Sequence, residues 1–444
     1  MSKIVLIGAN HAGTAAANTI LDNYPGNELV IFDSNDNISY LGCGTALYIG
    51  GQIEDTAGLF YSSRDKLTAK KAVVHMETGV TRIDFDGKKV YAADKKGKEI
   101  VESYDRLIIA TGSLPIQPKI KGLDTPGVEY VKLFQDGQKI HELLGRSEIK
   151  TVAVVGAGYI GVELAEAVRR RGREALLFEA ENTSLASYYD EWFTKDMDKN
   201  LADHGVKLHF GELVQEIQGD GKVTGIVTDK GKYPVDMVIM AIGFRPNTAL
   251  AKDSLETLPN GAYKVNLRQE TSKPGVYAIG DCASVYSNAI GNSAYIALAT
   301  NAVRSGVVAG HNACGVPLES AGVQGSNGIC IWDYKMVSTG LNLKAAEKAG
   351  FKAAYTEYED FQKPGFIKEN NYKVKIRIVY DKDTRRVLGA QMASLQDISM
   401  GIHMFSLAIE EKVTIDKLKL LDIFFLPHFN QPYNYITMAA LTAK

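Results

Sequence analysis

The sequence predicts an α/β fold in which two dinucleotide-binding βαβ units precede a smaller C-terminal α+β domain. Three observations predict it. An apolar run enters a glycine-rich turn at Gly8, and the same pattern returns at Gly156. Each of these units is followed by an apolar strand that ends in a small residue and a glycine. Beyond about residue 323 the pattern changes to alternating strands, and 444 residues are too many for one ordinary core.

Composition narrows the functional classes. Apolar residues make up 45% and charged residues 23%, a balance with ample material for buried sheets. The 50 basic side chains are offset by 52 acidic ones, so the chain has no electrostatic case for nucleic acid or an anionic membrane. Met1-Ser2-Lys3 runs directly into an apolar strand with no charged leader, and the expected location is the cytoplasm. Cys43, Cys282, Cys314 and Cys330 lie far apart and form neither a CxxC pair nor a metal-ligand spacing. No metal and no disulfide framework are expected.

The first unit starts with the buried strand Ile4-Val5-Leu6-Ile7. The turn Gly8-Ala9-Asn10-His11-Ala12-Gly13 follows, then a helix-compatible run and a second strand, Glu28 to Phe32, ending in Asp33. Glycines let such a turn approach a pyrophosphate, the helix N-terminus faces its charge, and Asp33 can accept from a ribose hydroxyl. Asn10 stands at the middle glycine position. The second unit has Thr151 to Val155, the complete Gly156-Ala157-Gly158-Tyr159-Ile160-Gly161, a helix to about Arg170, and a strand ending in Glu179. The repeat implies two dinucleotides on one chain.

The closing strands are Arg106-Leu107-Ile108-Ile109-Ala110-Thr111-Gly112-Ser113 and Met237-Val238-Ile239-Met240-Ala241-Ile242-Gly243. A third strand, Val276 to Ile279, ends in Gly280-Asp281, and Asp281 can hold a polyol. Between the units lies Leu41-Gly42-Cys43-Gly44-Thr45-Ala46-Leu47-Tyr48. A helix opening there would set Cys43 at a positive terminus and lower its thiol pKa. With no second cysteine nearby, Cys43 would cycle through sulfenic acid or a mixed disulfide with a small thiol.

Together the two fingerprints, the strand-glycine endings, Gly280-Asp281 and the lone Cys43 resemble the flavoprotein disulfide reductases. They are most similar to the single-cysteine branch that holds NADH oxidases, NADH peroxidases and coenzyme A disulfide reductases. The resemblance covers essentially the whole chain and implies FAD and NADH as cofactors. It implies a discontinuous FAD domain, 1–115 and 246–322, an NAD domain, 116–245, and a dimerisation domain, 323–444.

Carried over residue by residue, the resemblance implies FAD contacts at Gly8, Asn10, His11, Ala12, Gly13, Asp33, Cys43, Val80, Ala110, Thr111, Gly112 and Ser113. It adds Lys132, in place of an arginine near the flavin phosphates, then Asp281, Ala297, Leu298, Ala299 and, from the tail, Phe425. For NADH it implies Gly156, Gly158, Tyr159, Ile160, Gly161, Glu179, Tyr188, Gly243 and Gly328, with Tyr159 covering the flavin until nicotinamide displaces it. Glu179 can bond a ribose 2′-hydroxyl and would repel a 2′-phosphate, and Ala180 to Thr183 offers no arginine, so NADH is favoured over NADPH.

The catalytic residues implied are Cys43 and His11. In that scheme NADH reduces FAD, the reduced flavin meets O2, and the Cys43 thiolate cuts the nascent peroxide to water and a sulfenic acid; His11 supplies or orients a proton. The residues around Cys43 favour four-electron oxidation of NADH by O2. NADH peroxidase, coenzyme A disulfide or persulfide reductase, and a flavoprotein redox sensor are the alternatives. Cys282, Cys314 and Cys330 read as small packing residues, and Trp192 and Trp332 as core.

The last third shows strands at Lys373 to Tyr380 and Arg386 to Met392, a helix from about Ser399 to Glu411, and the aromatic tail Leu426 to Tyr435. The resemblance implies a homodimer or homotetramer whose tail reaches the partner's flavin.

Overall fold

The computed structural model describes residues 2–444. Lys3–Ile7 is the middle strand of a five-stranded parallel sheet, ordered Val276–Ala278, Arg106–Ile109, Lys3–Ile7, Glu28–Phe32, Val73–His75. Ile4, Val5 and Leu6 are fully buried, as strands covered on both faces require. One cover is the helix pair His11–Asn23 and Ala299–Ala313, which approach closely because their contact is made of small residues. A Cβ on Gly306 would stand 2.3 Å from the Ala12 carbonyl oxygen. This first sheet draws strands from both sides of the second nucleotide unit in sequence.

The second unit repeats the first. Its parallel sheet runs Lys207–Phe210, Glu174–Glu179, Thr151–Val155, Met237–Met240, Val128–Tyr130, with the helix Tyr159–Arg170 packed against it. Chain passes between the units where Ser113–Pro115 pairs antiparallel with Phe244–Pro246.

A five-stranded antiparallel sheet forms the C-terminal part, in the order Asn327–Ile331, Tyr334–Gly340, Val387–Ser394, Lys373–Asp381, Ala353–Phe361. Polar and apolar residues alternate along Lys373 to Tyr380, yet nearly every residue of Lys373–Asp381 is at least partly buried. Its polar face meets the second nucleotide unit through ion pairs: Lys375 Nζ lies 2.5 Å from Asp196, and Arg377 lies 2.8 Å from Asp190 and also pairs with Glu357. Helices Ser399–Glu410 and Tyr435–Leu441 belong to the apolar cluster over this sheet. Trp192 lies under the Lys375 ammonium at 4.7 Å, and Trp332 stacks on His204 at 4.2 Å.

Past residue 419 the surface is apolar and open. Leu420 is 89% exposed, Phe424 64% and Tyr433 74%. Among the described residues no helix is long and apolar enough to cross a membrane.

Candidate active site

A cleft of about 1950 Å³ runs between the two parallel sheets and is closed at one side by the C-terminal sheet. Drug-sized ligand sites occupy about 300–1,000 Å³, so this volume suits extended ligands. Both nucleotide turns open onto it, built alike. Gly8 and Gly156 adopt φ of +97° and +100°, and their amides donate to Phe32 O and Phe178 O, each at 2.8 Å. A Cβ at Gly13 would stand 1.9 Å from Gly8 O, and one at Gly161 1.8 Å from Gly156 O, so only glycine lets each helix close on its strand. Neither Asn10 nor Gly158 caps its helix with a side chain. The first amides of both helices are therefore free to meet phosphate, which is the arrangement a dinucleotide needs.

The acids at the strand ends brace these turns. Asp33 accepts from Ala9 N at 2.7 Å and Asn35 N at 2.8 Å, and Glu179 accepts from Ala157 N at 2.8 Å and Glu181 N at 3.1 Å. Burial pushes the Asp33 carboxyl up, against the pull of its two amide donors. A carboxylate oxygen has a second lone pair, so bracing the turn does not consume its capacity for a ribose hydroxyl.

Cys43 is exposed in a short 3-10 turn, Gly42–Gly44, ahead of the helix Thr45–Ile49. The helix terminus predicts a lowered thiol pKa. Instead the thiol is pushed up, first by burial of the sulfur and then by the Glu163 carboxylate. A helix of five residues carries too little dipole to prevail over either. Cys43, Ala46, Glu163 and Gly328 also line a second cavity of about 330 Å³, together with Glu166, Cys330 and Lys335. Those four residues thus form the partition between the cleft and the smaller cavity.

Glu163 is the functional residue that sequence reading missed. It sits one helical turn after Tyr159 on Tyr159–Arg170, and burial, aided by Glu166, pushes its carboxyl up to about 7. A charged residue inside the apolar stretch Ile160-Gly161-Val162-Glu163-Leu164-Ala165, on the same face as a cleft tyrosine, was the available signal.

His11 begins the helix His11–Asn23 and also lines the cleft. Its ring stacks on Tyr61 at 5.9 Å and shares a 3.1 Å hydrogen bond with the Tyr61 hydroxyl, another contact without a sequence signal. Burial lowers the His11 pKa, so the ring is neutral near pH 7.

Lys132 donates to Ser113 Oγ at 2.8 Å and lies 3.5 Å from Asp281 Oδ2, while Ser113 Oγ donates to the same carboxylate at 2.8 Å. The lysine is held at the Asp281 end of the cleft as a point charge. Ala12, Val80, Ala110, Thr111, Gly112, Ala297, Leu298 and Ala299 line the cleft, as do Ile160, Tyr188 and Gly243. Gly161 does not: it is buried, packed against Gly156 and Ala241. Phe425 lies outside this chain's cleft, on the open apolar tail.

Among the remaining cysteines, Cys282 is fully buried and Cys314 ends the helix Ala299–Ala313. Cys330 departs from its expected packing role: it is exposed on Asn327–Ile331 and lines the smaller cavity.

The model of the pyridine nucleotide-disulphide oxidoreductase family matches residues 2–306, and that of the family's dimerisation domain matches 327–434. The chain is 58% identical over 445 residues to an NADH oxidase of Lactococcus lactis, covering all of both chains. It is 59% identical over 456 residues to an NADH oxidase of Streptococcus pyogenes, again covering all of both. Among solved structures it is similar to the water-forming NADH oxidase from Lactobacillus brevis bound to NADH, with a TM-score of 0.96 and 39% identity, covering 99% of this chain and 98% of that one.

Proposed function

The chain belongs to the pyridine nucleotide-disulphide oxidoreductase family, and from that premise we propose that it is an FAD-dependent NADH oxidase that reduces O2 to water. The observation that carries this reading is that Cys43, exposed between two glycines, lines the same cleft as both dinucleotide turns. Full-length identity to NADH oxidases supports the activity.

Bound in the cleft, FAD would supply a two-electron carrier between NADH and O2. The Gly8 turn, Asp33 and the Ala110-Thr111-Gly112 strand end hold its nucleotide end, with Lys132, Ser113 and Asp281 as the polar cluster for the rest. The Gly156 turn and Glu179 hold NADH. In this account the discontinuous unit 1–115 and 246–322 binds FAD, 116–245 binds NADH, and 323–444 forms the homodimer interface, its apolar tail covered by the partner.

Cys43 completes the four-electron chemistry. Its thiolate attacks hydrogen peroxide: an S–O bond forms, the O–O bond breaks, and the departing hydroxide takes a proton from the Glu163 carboxyl and leaves as water. Two electrons and one proton from a second NADH then return the sulfenic acid to thiolate and a second water, and a proton from solvent reloads the Glu163 carboxyl. The sum is two NADH, two protons and one O2 giving two NAD+ and two waters. His11, neutral and hydrogen-bonded to Tyr61, is the second group that can carry protons at the cleft. The balance of charge and the four free cysteines fit a cytoplasmic enzyme.

Replacing Cys43 with Ser tests the role of the thiolate. The variant is expected to keep consuming O2 with NADH but to release peroxide. Clean four-electron reduction in that variant would remove Cys43 from the chemistry.

A further inference from the structure

The Tyr159 side chain, at the start of the second-unit helix, is tied on its far side to the C-terminal sheet. Its hydroxyl hydrogen-bonds the Asn327 amide oxygen and lies 2.9 Å from the Tyr189 hydroxyl. That same amide oxygen is approached by Tyr189 Oη at 3.4 Å and by Ser338 Oγ at 3.0 Å, while Asn327 Nδ2 donates to Gly325 O at 2.7 Å and so fixes which way the amide faces. Tyr189 and Ser338 are buried.

Counting hydrogens leaves two arrangements. An amide oxygen accepts two bonds well, and each hydroxyl has one proton to give. In the first arrangement Asn327 accepts from Tyr159 and Ser338, and Tyr189 donates to the Tyr159 oxygen. In the second Tyr159 has left, and Tyr189, already near, donates to Asn327 in its place. No buried hydroxyl or carbonyl loses its partner in the exchange, so the large penalty for an orphaned polar group is avoided.

The location gives this exchange a use. Tyr159, its ring edge-on to Tyr188 at 4.4 Å, lines the cleft between the Gly156 turn and Gly328, so a nicotinamide reaching toward Cys43 from the second unit meets it. We propose that Asn327 and Tyr189 are positioning residues that set how readily Tyr159 yields to NADH, linking the nucleotide cleft to the C-terminal sheet. This rests on the reading that NADH is oxidised in this cleft.

The test uses the full-length, flavin-loaded enzyme and reads KM for NADH, kcat, and anaerobic flavin bleaching at limiting NADH. Y189F removes one oxygen and leaves Asn327 without its substitute donor when Tyr159 departs. It is expected to raise KM for NADH about three- to tenfold, the size one net hydrogen bond supplies, with kcat nearly unchanged. In a Y159F background the same change is expected to have no effect on KM. N327L is expected to shift KM by a similar factor, and N327L/Y159F by no more than either change alone. Equal effects of Y189F with and without the Tyr159 hydroxyl, or a wild-type KM in both Y189F and N327L, would overturn the proposal. A wild-type enzyme that fails to bleach its flavin with NADH would instead sink the activity on which it rests.

Discussion

Cys43 and Glu163 share the partition between the nucleotide cleft and the cavity behind it, and the Glu163 carboxylate raises the pKa of the Cys43 thiol. The coupling runs both ways: a protonated Glu163 favours the thiolate, and a thiolate favours protonated Glu163. The pair can therefore hold one proton between them, ready for the hydroxide that leaves when peroxide is cut.

Glu163→Gln keeps the shape and removes the charge. Alkylation of Cys43 is expected to move to lower pH in this variant, because the carboxylate that opposes thiolate is gone. Turnover to water is expected to fall by at least about tenfold and to lose the limb that declines as pH rises through about 7, the loss a missing general acid produces. Pre-steady-state alkylation and a pH–rate profile check both.

The same residue governs a stability difference. Burial raises the Glu163 carboxyl in the folded chain, so the folded state binds its proton more tightly than the unfolded state. Stability from this group is full below the ordinary carboxylate range, declines as pH rises toward about 7, and is flat above it. Glu163→Gln is expected to be more stable than wild type at pH 8 by roughly 1–3 kcal/mol, and to gain little at pH 4, as read by thermal or urea unfolding.

Glu179 decides between the two nicotinamide cofactors. Glu179→Ala removes the charge that repels a 2′-phosphate and the acceptor for a 2′-hydroxyl, so the preference for NADH over NADPH is expected to fall by about tenfold or more. Part of the loss will appear as a higher KM for NADH, since Ala157 N also gives up its partner. Steady-state kinetics with both cofactors read the ratio.

Three substitutions test the frame. Gly161→Ala forces a Cβ against Gly156 O and is expected to cost about 3 kcal/mol or more, while Gly26→Ala, with open space around it, is expected to stay within about 0.5 kcal/mol. Arg377→Ala strands Asp190 at the buried junction of the C-terminal sheet and the second unit, with an expected cost of about 3–5 kcal/mol. Denaturant unfolding of the three variants distinguishes these sizes.

Much of this was legible in the sequence because it is local. A glycine turn between a buried strand and a helix, closed by an acid at the next strand end, is written in a few consecutive residues, and both units fold as those residues require. The elements that were not legible arise from tertiary contacts. The alternating strand through Lys375 and Arg377 does not announce that Arg377 is buried and Lys375 half-buried, because Asp190 and Asp196 arrive from the second unit. The Cys43 thiol pKa was read from its own helix start, but desolvation first, and then Glu163, distant in sequence, set its direction. Cys330 joined the second cavity, and Tyr61 met His11, by the same kind of long-range approach that no spacing announces.

The most direct test of the account is the ratio of NADH oxidised to O2 consumed by the flavin-loaded enzyme, with released peroxide assayed in the same vessel. Four-electron reduction through Cys43 requires two NADH for each O2 and no peroxide. One NADH per O2 with peroxide accumulating, or scant O2 uptake while added peroxide or coenzyme A disulfide is reduced briskly, would contradict it.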